Sequence, residues 1–401
     1  MVEKPFFSIV IPTKNRPELL RDAIQSVLLQ SFTEFELIVS DNHNDAATKE
    51  VIDSFPEDGR LRYVRPTDEL NMLDHWEFAT CQAIGRYVVL LTDRNVLCQH
   101  SLKKIKRVID THKDINFISF GTKAFLEHQN KFGTRSTTGK SRMYNSKELV
   151  DNFKGAIYYS SGSLDFFAPK TINSCYKNEI AQKIRREKGS YFNLRGVSTP
   201  DYASFFVNTL MDQQCYFLGD TIMLGQGASV SNGSNFAKGD TSYFKTLGAN
   251  YELHASLADV PFIYNCIYND FIVIYSYWGK QDFPLTFNYD IYFANLLLEL
   301  MIKREAGASE EICLSFEKSV QQAMIEHGFS EKKIHEITEL ANGCFMKDRS
   351  KTNMFLKNWK IHFKDFLFHR FNDNKLLNRI FKYKYDSILT AAGFDYYKAL
   401  R

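Results

Sequence analysis

Within the first hundred residues, four short apolar runs each end in a polar break, and helix-spaced segments lie between them. This alternation restricts the fold more than any other feature of the chain. The runs are residues 6–11 (FFSIVI), 35–39, 61–64 and 87–91 (YVVLL). Between them, residues 18–30 carry Leu19, Leu20, Ala23, Ile24, Val27 and Leu28 at helical spacing. Residues 48–55 and 71–83 follow the same rule, the second with Trp76, Ala79 and Ala83 in register. Short β-branched runs joined by helices are the pattern of buried parallel strands with crossover connections. The predicted class is α/β, a Rossmann-like, mostly parallel sheet flanked by helices.

The pattern weakens downstream. Residues 116–120 read as a strand and 123–142 as a polar loop or hairpin. Residues 146–153, 178–188 and 200–211 read as helices, the last with Pro200 in its first turn. Residues 216–218 and 222–224 read as a hairpin around Gly219-Asp220, followed by a Gly/Ser/Asn-rich loop at 225–235. After about residue 236 the β signal ends. Helices are predicted at 243–257, 260–278, 288–305, 309–327, 330–342 and 352–383. The chain of 401 residues therefore divides into an α/β domain, 1–238, and an α-helical domain, 239–401.

Composition narrows the function classes. Fifty Lys+Arg against 47 Asp+Glu give a net charge of +3, which excludes a uniformly basic nucleic-acid coat. The total hides an uneven distribution. Residues 345–401 hold 13 Lys+Arg, five Asp and no Glu, a net +8, which leaves −5 on residues 1–344. The basic residues interleave with Phe355, Trp359, Phe363, Phe366, Phe368, Phe371, Phe381, Tyr383 and Tyr385. Such a segment suits an anionic membrane surface; the alternative is a helical subdomain that packs its aromatic residues on the sheet domain or on another subunit. No nucleic-acid recognition motif accompanies it. Seven widely spaced cysteines without a C-x-x-C pair fit a reducing compartment. No signal peptide or long apolar stretch is evident, so a cytoplasmic protein is expected, one that can be peripheral on the inner face of the membrane.

In open α/β sheets, ligands bind beyond the carboxyl ends of the strands. Pro12, Thr13, Asn15 and Arg16 follow the first run, Asp41 the second, and Asp93, Arg94 and Asn95 the fourth. A dinucleotide-binding fold is excluded, because only Gly59 and Gly85 occur in the first 120 residues and no glycine-rich phosphate loop exists. A nucleotide bound here must be held by side chains.

Three segments in order, Ser8-Ile9-Val10-Ile11-Pro12-Thr13-x-Asn15-Arg16, Ser40-Asp41-Asn42 and Gly85 through Asp93, resemble glycosyltransferase family 2. The resemblance covers roughly residues 5–102 and implies a GT-A fold and a nucleotide-diphosphate sugar donor. By that resemblance Pro12, Thr13, Asn15 and Arg16 line the nucleotide pocket, and Asp41 binds the base or its ribose. Asp93 takes the first position of the family's Asp-x-Asp motif. Asn95 takes the second, where it offers an oxygen without charge, while Arg94 adds a cation between them. Mn²⁺ or Mg²⁺ is therefore expected as cofactor, held more weakly than by two carboxylates, with Arg94 sharing the diphosphate charge. Thr199-Pro200-Asp201 resembles the element that carries the general base in part of the family, which makes Asp201 the catalytic candidate. Ser231 and Asn232, in a Ser-Asn-Gly loop, are candidates for contact with the diphosphate or the acceptor.

Simpler roles stay open for each of these residues. Asp41 suits the cap of a following helix, Asp201 a helix N-terminus, and Ser231 and Asn232 a turn. The expected function is transfer of a sugar to a hydroxyl of a glycan or glycolipid acceptor, with inversion, in bacterial capsule, O-antigen or lipooligosaccharide synthesis. The alternative is a GT-A module that has lost catalysis and binds or scaffolds within a membrane-associated assembly.

Overall fold

The computed structural model describes residues 4–42, 46–126, 131–132, 140–157, 168–212, 214–225, 253, 255–278, 286–351 and 388–392. The expected α/β architecture forms. Strands β1 (Phe7–Thr13), β2 (Phe35–Asp41), β3 (Leu61–Val64) and β4 (Tyr87–Leu90) alternate with helices α1 (Pro17–Leu28), α2 (Ala47–Asp53) and α3 (Met72–Cys81). They make a parallel block in the order β3-β2-β1-β4. Alternation along β1 explains why both of its faces are apolar. Phe7, Ile9 and Ile11 join a core with α1 and α4 (Ser101–Thr111), whereas Val10 joins the core on the other face.

Beyond β4 the sheet becomes mixed. β9 (Ser174–Lys177) inserts antiparallel between β4 and β6 (Phe117–Leu126), and β10 (Gln214–Gly225) runs parallel to β6. β5 (Asn95–Leu97) and β8 (Arg142–Asn145) pair antiparallel with β10, and β7 (Lys131–Phe132) with β6. Only four residues long, β9 carries no period that a sequence window can register.

The hairpin expected at Gly219-Asp220 does not form. β10 runs through it as one strand, and its register on β6 shifts between Leu218 and Thr221. A partner strand on both sides of the Gly-Asp pair makes a bulge less costly than a reversal. Ser141 Oγ accepts from the Gly219 N–H at 2.9 Å, and Lys104 pairs with Asp220 at 2.7 Å.

Three further helices fill this part of the chain: α5 (Ser146–Gly155), α6 (Asn178–Lys188) and α7 (Pro200–Met211). The later helices are α8 (Ile263–Trp278), α9 (Tyr289–Glu305), α10 (Glu310–Glu326), α11 (Glu331–Lys351) and α12 (Ile388–Ala391). The helix expected at 243–257 is absent over 255–257, and its remainder falls almost wholly outside the described residues, as do the helix at 352–383 and the domain boundary near 238. α8 starts only after Pro261. Its first N–H groups, on Ile263 and Tyr264, donate to the buried Glu299 of α9 at 2.8 and 3.1 Å. Leu296, Leu300, Ile267 and Phe271 from these helices join α5, α7 and Val10 of the sheet in one apolar core. Ile388, Leu389 and Ala392 return to the sheet and cover Val96, Phe125 and Leu224.

Candidate functional site

The β1–β2 register places Thr13 beside Asp41, so the ends of β1, β2 and β4 open on one crevice. Asp93 lies three residues past β4 and is 3 % exposed. Thr13 Oγ1 donates to its Oδ2 at 3.0 Å, and Arg16 Nη1 approaches its Oδ1 at 3.3 Å. Arg16 can reach back because the chain turns at Asn15, which adopts the left-handed φ of 58° that Asn tolerates better than most residues. Pro17 then opens α1. Burial pushes the Asp93 carboxyl above its usual range, against the pull of Arg16, Thr13 and Arg94. The structure thus joins Thr13, Arg16 and Asp93 across 77 to 80 residues of sequence.

Each residue of Ser40-Asp41-Asn42 has its own partner. Ser40 Oγ meets His75 Nε2 of α3 at 3.0 Å. Asp41 Oδ2 accepts from the Tyr63 hydroxyl of β3 at 2.9 Å. The Asn42 side chain clamps Leu70, donating to its C=O at 2.7 Å and accepting from its N–H at 2.9 Å. Asp41 does not cap the next helix, which begins at Ala47 with Ala46 in the cap position. Tyr63 is a site neighbour that carries no sequence signal, whereas His75, in a segment that resembles the family's helix before the fourth strand, takes the place of a buried, hydrogen-bonded core histidine. Burial and Asp41 push the Tyr63 hydroxyl up to about 12, and burial pushes His75 down to about 4.

The turn after Asp93 places Asn95 at the start of β5, opposite Gly225. A Cβ on Gly225 would meet Asn95 Oδ1 at 3.0 Å, so the bare glycine makes room for that amide. Among the described residues no group of three His, Cys, Asp or Glu side chains could hold a metal by itself. Asp93 supplies one carboxylate, and a Mg²⁺-type ion is commonly held by one or two carboxylates together with substrate phosphates. The residues present fit a cation that arrives with a diphosphate, and they do not form a closed protein cage. Ser231 and Asn232 lie outside the described residues.

Asp201 occupies the second position of α7. It sits at the same end of the sheet as Asp93. In the antiparallel β4–β9 register Val89 faces Cys175, so the single-turn helix Thr171–Asn173 that precedes β9 runs beside the continuation of β4 toward Asp93. The Thr171 N–H donates to Ser204 Oγ, one turn into α7, at 3.0 Å. Lys170, another residue without a sequence signal, is buried here with its ammonium 4.6 Å from the centre of the Tyr202 ring. Trp76 packs edge-on against Phe192, as a core residue.

Glycine also matters at Gly85. A Cβ there would stand 2.7 Å from the backbone of Phe7 and Ser8, so only glycine lets the approach to β4 cross β1 this closely.

Residues 8–166 match the family described as Glycosyl transferase family 2. Protein CgeD of Bacillus subtilis is 31% identical over 105 residues, 24% of this chain and 25% of that protein, so the chain spans about a quarter of this relative's length. The GalNAc(5)-diNAcBac-PP-undecaprenol beta-1,3-glucosyltransferase of Campylobacter jejuni is 24% identical over 290 residues, 66% of this chain and 86% of that one. The crystal structure of S. aureus TarS 1-349 has 16% identity and a TM-score of 0.47, over 84% of this chain and 90% of that one.

Proposed function

We propose that the chain, whose residues 8–166 match glycosyltransferase family 2, transfers a sugar from a nucleoside-diphosphate donor to a hydroxyl of a lipid-linked bacterial glycan. The observation that carries this reading is the buried Asp93 carboxylate, tied to Thr13 and Arg16 at the mouth of a parallel sheet, with Asp41 one strand away. The Campylobacter relative, named for a polyprenyl-diphosphate acceptor, supports the acceptor class.

In the proposed reaction the nucleoside lies over the ends of β1 and β2, lined by Pro12, Thr13 and Asn15. Asp41 accepts hydrogen bonds from the base or ribose. Arg16 and Arg94 face the diphosphate and stabilise the charge that grows on it as the sugar leaves. A divalent ion, when bound, neutralises part of that charge, and Asp93 is the carboxylate that would hold it, with Asn95 as a neutral neighbour. Asp201 removes the proton of the acceptor hydroxyl. The hydroxyl oxygen then bonds to the anomeric carbon from the face opposite the diphosphate, which departs with the electron pair of the broken C–O bond. A single displacement of this kind inverts the anomeric centre.

The reading is tested by nucleoside-diphosphate release from a panel of UDP-, GDP- and dTDP-sugars, with and without Mn²⁺ and a polyprenyl-diphosphate-linked acceptor. One donor should give acceptor-dependent release, and Asp201→Asn should lower it by at least a hundredfold while leaving donor binding within about twofold. If no donor binds or turns over under any of these conditions, the proposal is wrong.

A further inference from the structure

The segment entering α7 is held by a carboxylate from another helix. Asp270 of α8 is completely buried. Its Oδ1 accepts from the Ser198 N–H at 2.7 Å and the Ser198 hydroxyl at 2.8 Å. Its Oδ2 accepts from the Thr199 N–H at 2.8 Å and from the Thr199 hydroxyl. The neighbouring Asn269 donates to the C=O of Gly196 at 2.8 Å, where the chain turns through a φ of 87°. It also accepts from the Ala255 N–H at 3.0 Å.

Thr199 is the N-cap of α7, and a threonine in that position ordinarily accepts from the second or third helical N–H. Here it makes no such cap and gives its hydroxyl to Asp270 instead. Burying a carboxylate is costly, and the threonine alone could have capped the helix. The costlier arrangement achieves something that a local cap cannot. It fixes the two residues before Pro200-Asp201 to a different helix, while Ser204, one turn into α7, accepts from Thr171 beside the end of β4 and donates to the Asp201 C=O.

We infer that Asp270 is a positioning residue for the transfer: through Ser198 and Thr199 it holds the N-terminus of α7 so that the Asp201 carboxylate meets the acceptor hydroxyl. The inference rests on the reading of Asp201 as the base. Asp270 touches no substrate. In Asp270→Asn one carboxylate oxygen becomes an NH₂ group, and one backbone N–H then faces a donor.

The test compares full-length variants. Asp270→Asn should lower kcat at least tenfold while the Kd for the tightest binder among UDP, GDP and dTDP stays within twofold. Glu299→Gln is the control for stability alone, because Glu299 is also a buried carboxylate holding two backbone N–H groups of α8, at the N-terminus of that helix and about two turns before Asp270. It should lower Tm with kcat within twofold of wild type. Should Asp270→Asn fail to fold, Thr199→Val removes only one hydroxyl and should lower kcat severalfold with the nucleotide Kd unchanged. Wild-type kcat in the folded Asp270 variant, or in Thr199→Val if that variant must stand in, overturns the inference. A kcat loss no larger than that of Glu299→Gln does the same. Asp201→Asn separates the two readings: full turnover in that variant removes the base itself, whereas an inactive Asp201→Asn beside a fully active Asp270→Asn removes only the positioning role.

Discussion

Asp93 and His75 carry the sharpest consequences of single substitutions. Asp93 is buried with a threonine and an arginine on its two oxygens. Asp93→Asn keeps the shape but removes the carboxylate charge that faces Arg16 and the site's proposed ionic ligand. Nucleoside-diphosphate binding in the presence of Mn²⁺ should weaken at least tenfold by calorimetry, and unchanged affinity would count against Asp93 as the diphosphate-side carboxylate. His75 titrates in the opposite sense to a salt-bridged histidine. Burial drives it to about 4 from an ordinary 6.5, so the folded state binds fewer protons than the unfolded state between those values. Stability is therefore lost as pH falls through that window, by on the order of 3 kcal/mol in full. Asp270, pushed up to about 7 by burial, works the other way and costs stability as pH rises toward 7. The difference between wild type and His75→Gln reads the histidine alone. Urea unfolding at pH 7 and pH 5 should show a smaller acid loss in the variant, and parallel losses would refute the assignment.

At the scale of elements, buried carboxylates join helices to loops. Glu77 of α3 holds Arg185 of α6 and accepts from Ser190 Oγ at 2.8 Å and from the N–H groups of Tyr191 and Phe192 at 2.9 and 3.0 Å. Burial raises its carboxyl, and Arg185 with the other donors outweighs that and brings it below the usual value. Glu77→Gln leaves a largely buried guanidinium unbalanced, and chemical denaturation should show a loss of roughly 3 kcal/mol. A loss below about 1 kcal/mol would mean that solvent already screens the pair. The elements themselves were largely legible in sequence. α1, α6 and α7 fall close to where apolar spacing and Pro punctuation place them. β5 and β9 were not legible, because three or four residues carry no measurable period and their place depends on β10 and β4. The Gly219-Asp220 bulge was misread because the turn chemistry of the pair is local, whereas the partner strand β6 is nearly a hundred residues away.

For the whole molecule, the polarity of charge sets the remaining prediction. The region 352–387 holds most of the tail's basic and aromatic residues and lies outside the described residues, but the chain returns at Ile388 to bury Val96 and Leu224. Deleting everything after residue 344 would strip that cover from the sheet as well as the charge. Replacing Lys357, Lys360, Lys364, Lys382 and Lys384 with Gln tests the charge alone. At roughly 1 kcal/mol per basic residue near an anionic surface, the variant should lose nearly all sedimentation with phosphatidylglycerol-containing vesicles at low salt. Equal pelleting of both proteins would favour the alternative expected from the sequence, a tail that packs its aromatic residues on the sheet domain or on another subunit. Among the described residues no helix is long and apolar enough to cross a membrane.

Sequence alone determined the α/β class, the strand ends that carry polar residues, the family motifs and the split between −5 and +8. Each of these is local: a period of two or 3.6, a break at Pro or Gly, a count of charges. Tertiary structure alone decided what those residues meet. Arg16 on Asp93, Tyr63 on Asp41, His75 on Ser40 and Asp270 on the entry to α7 are contacts between segments 22 to 77 residues apart. No window of sequence registers them, because a hydrogen bond between distant segments exists only once the sheet and helices have fixed where each segment runs.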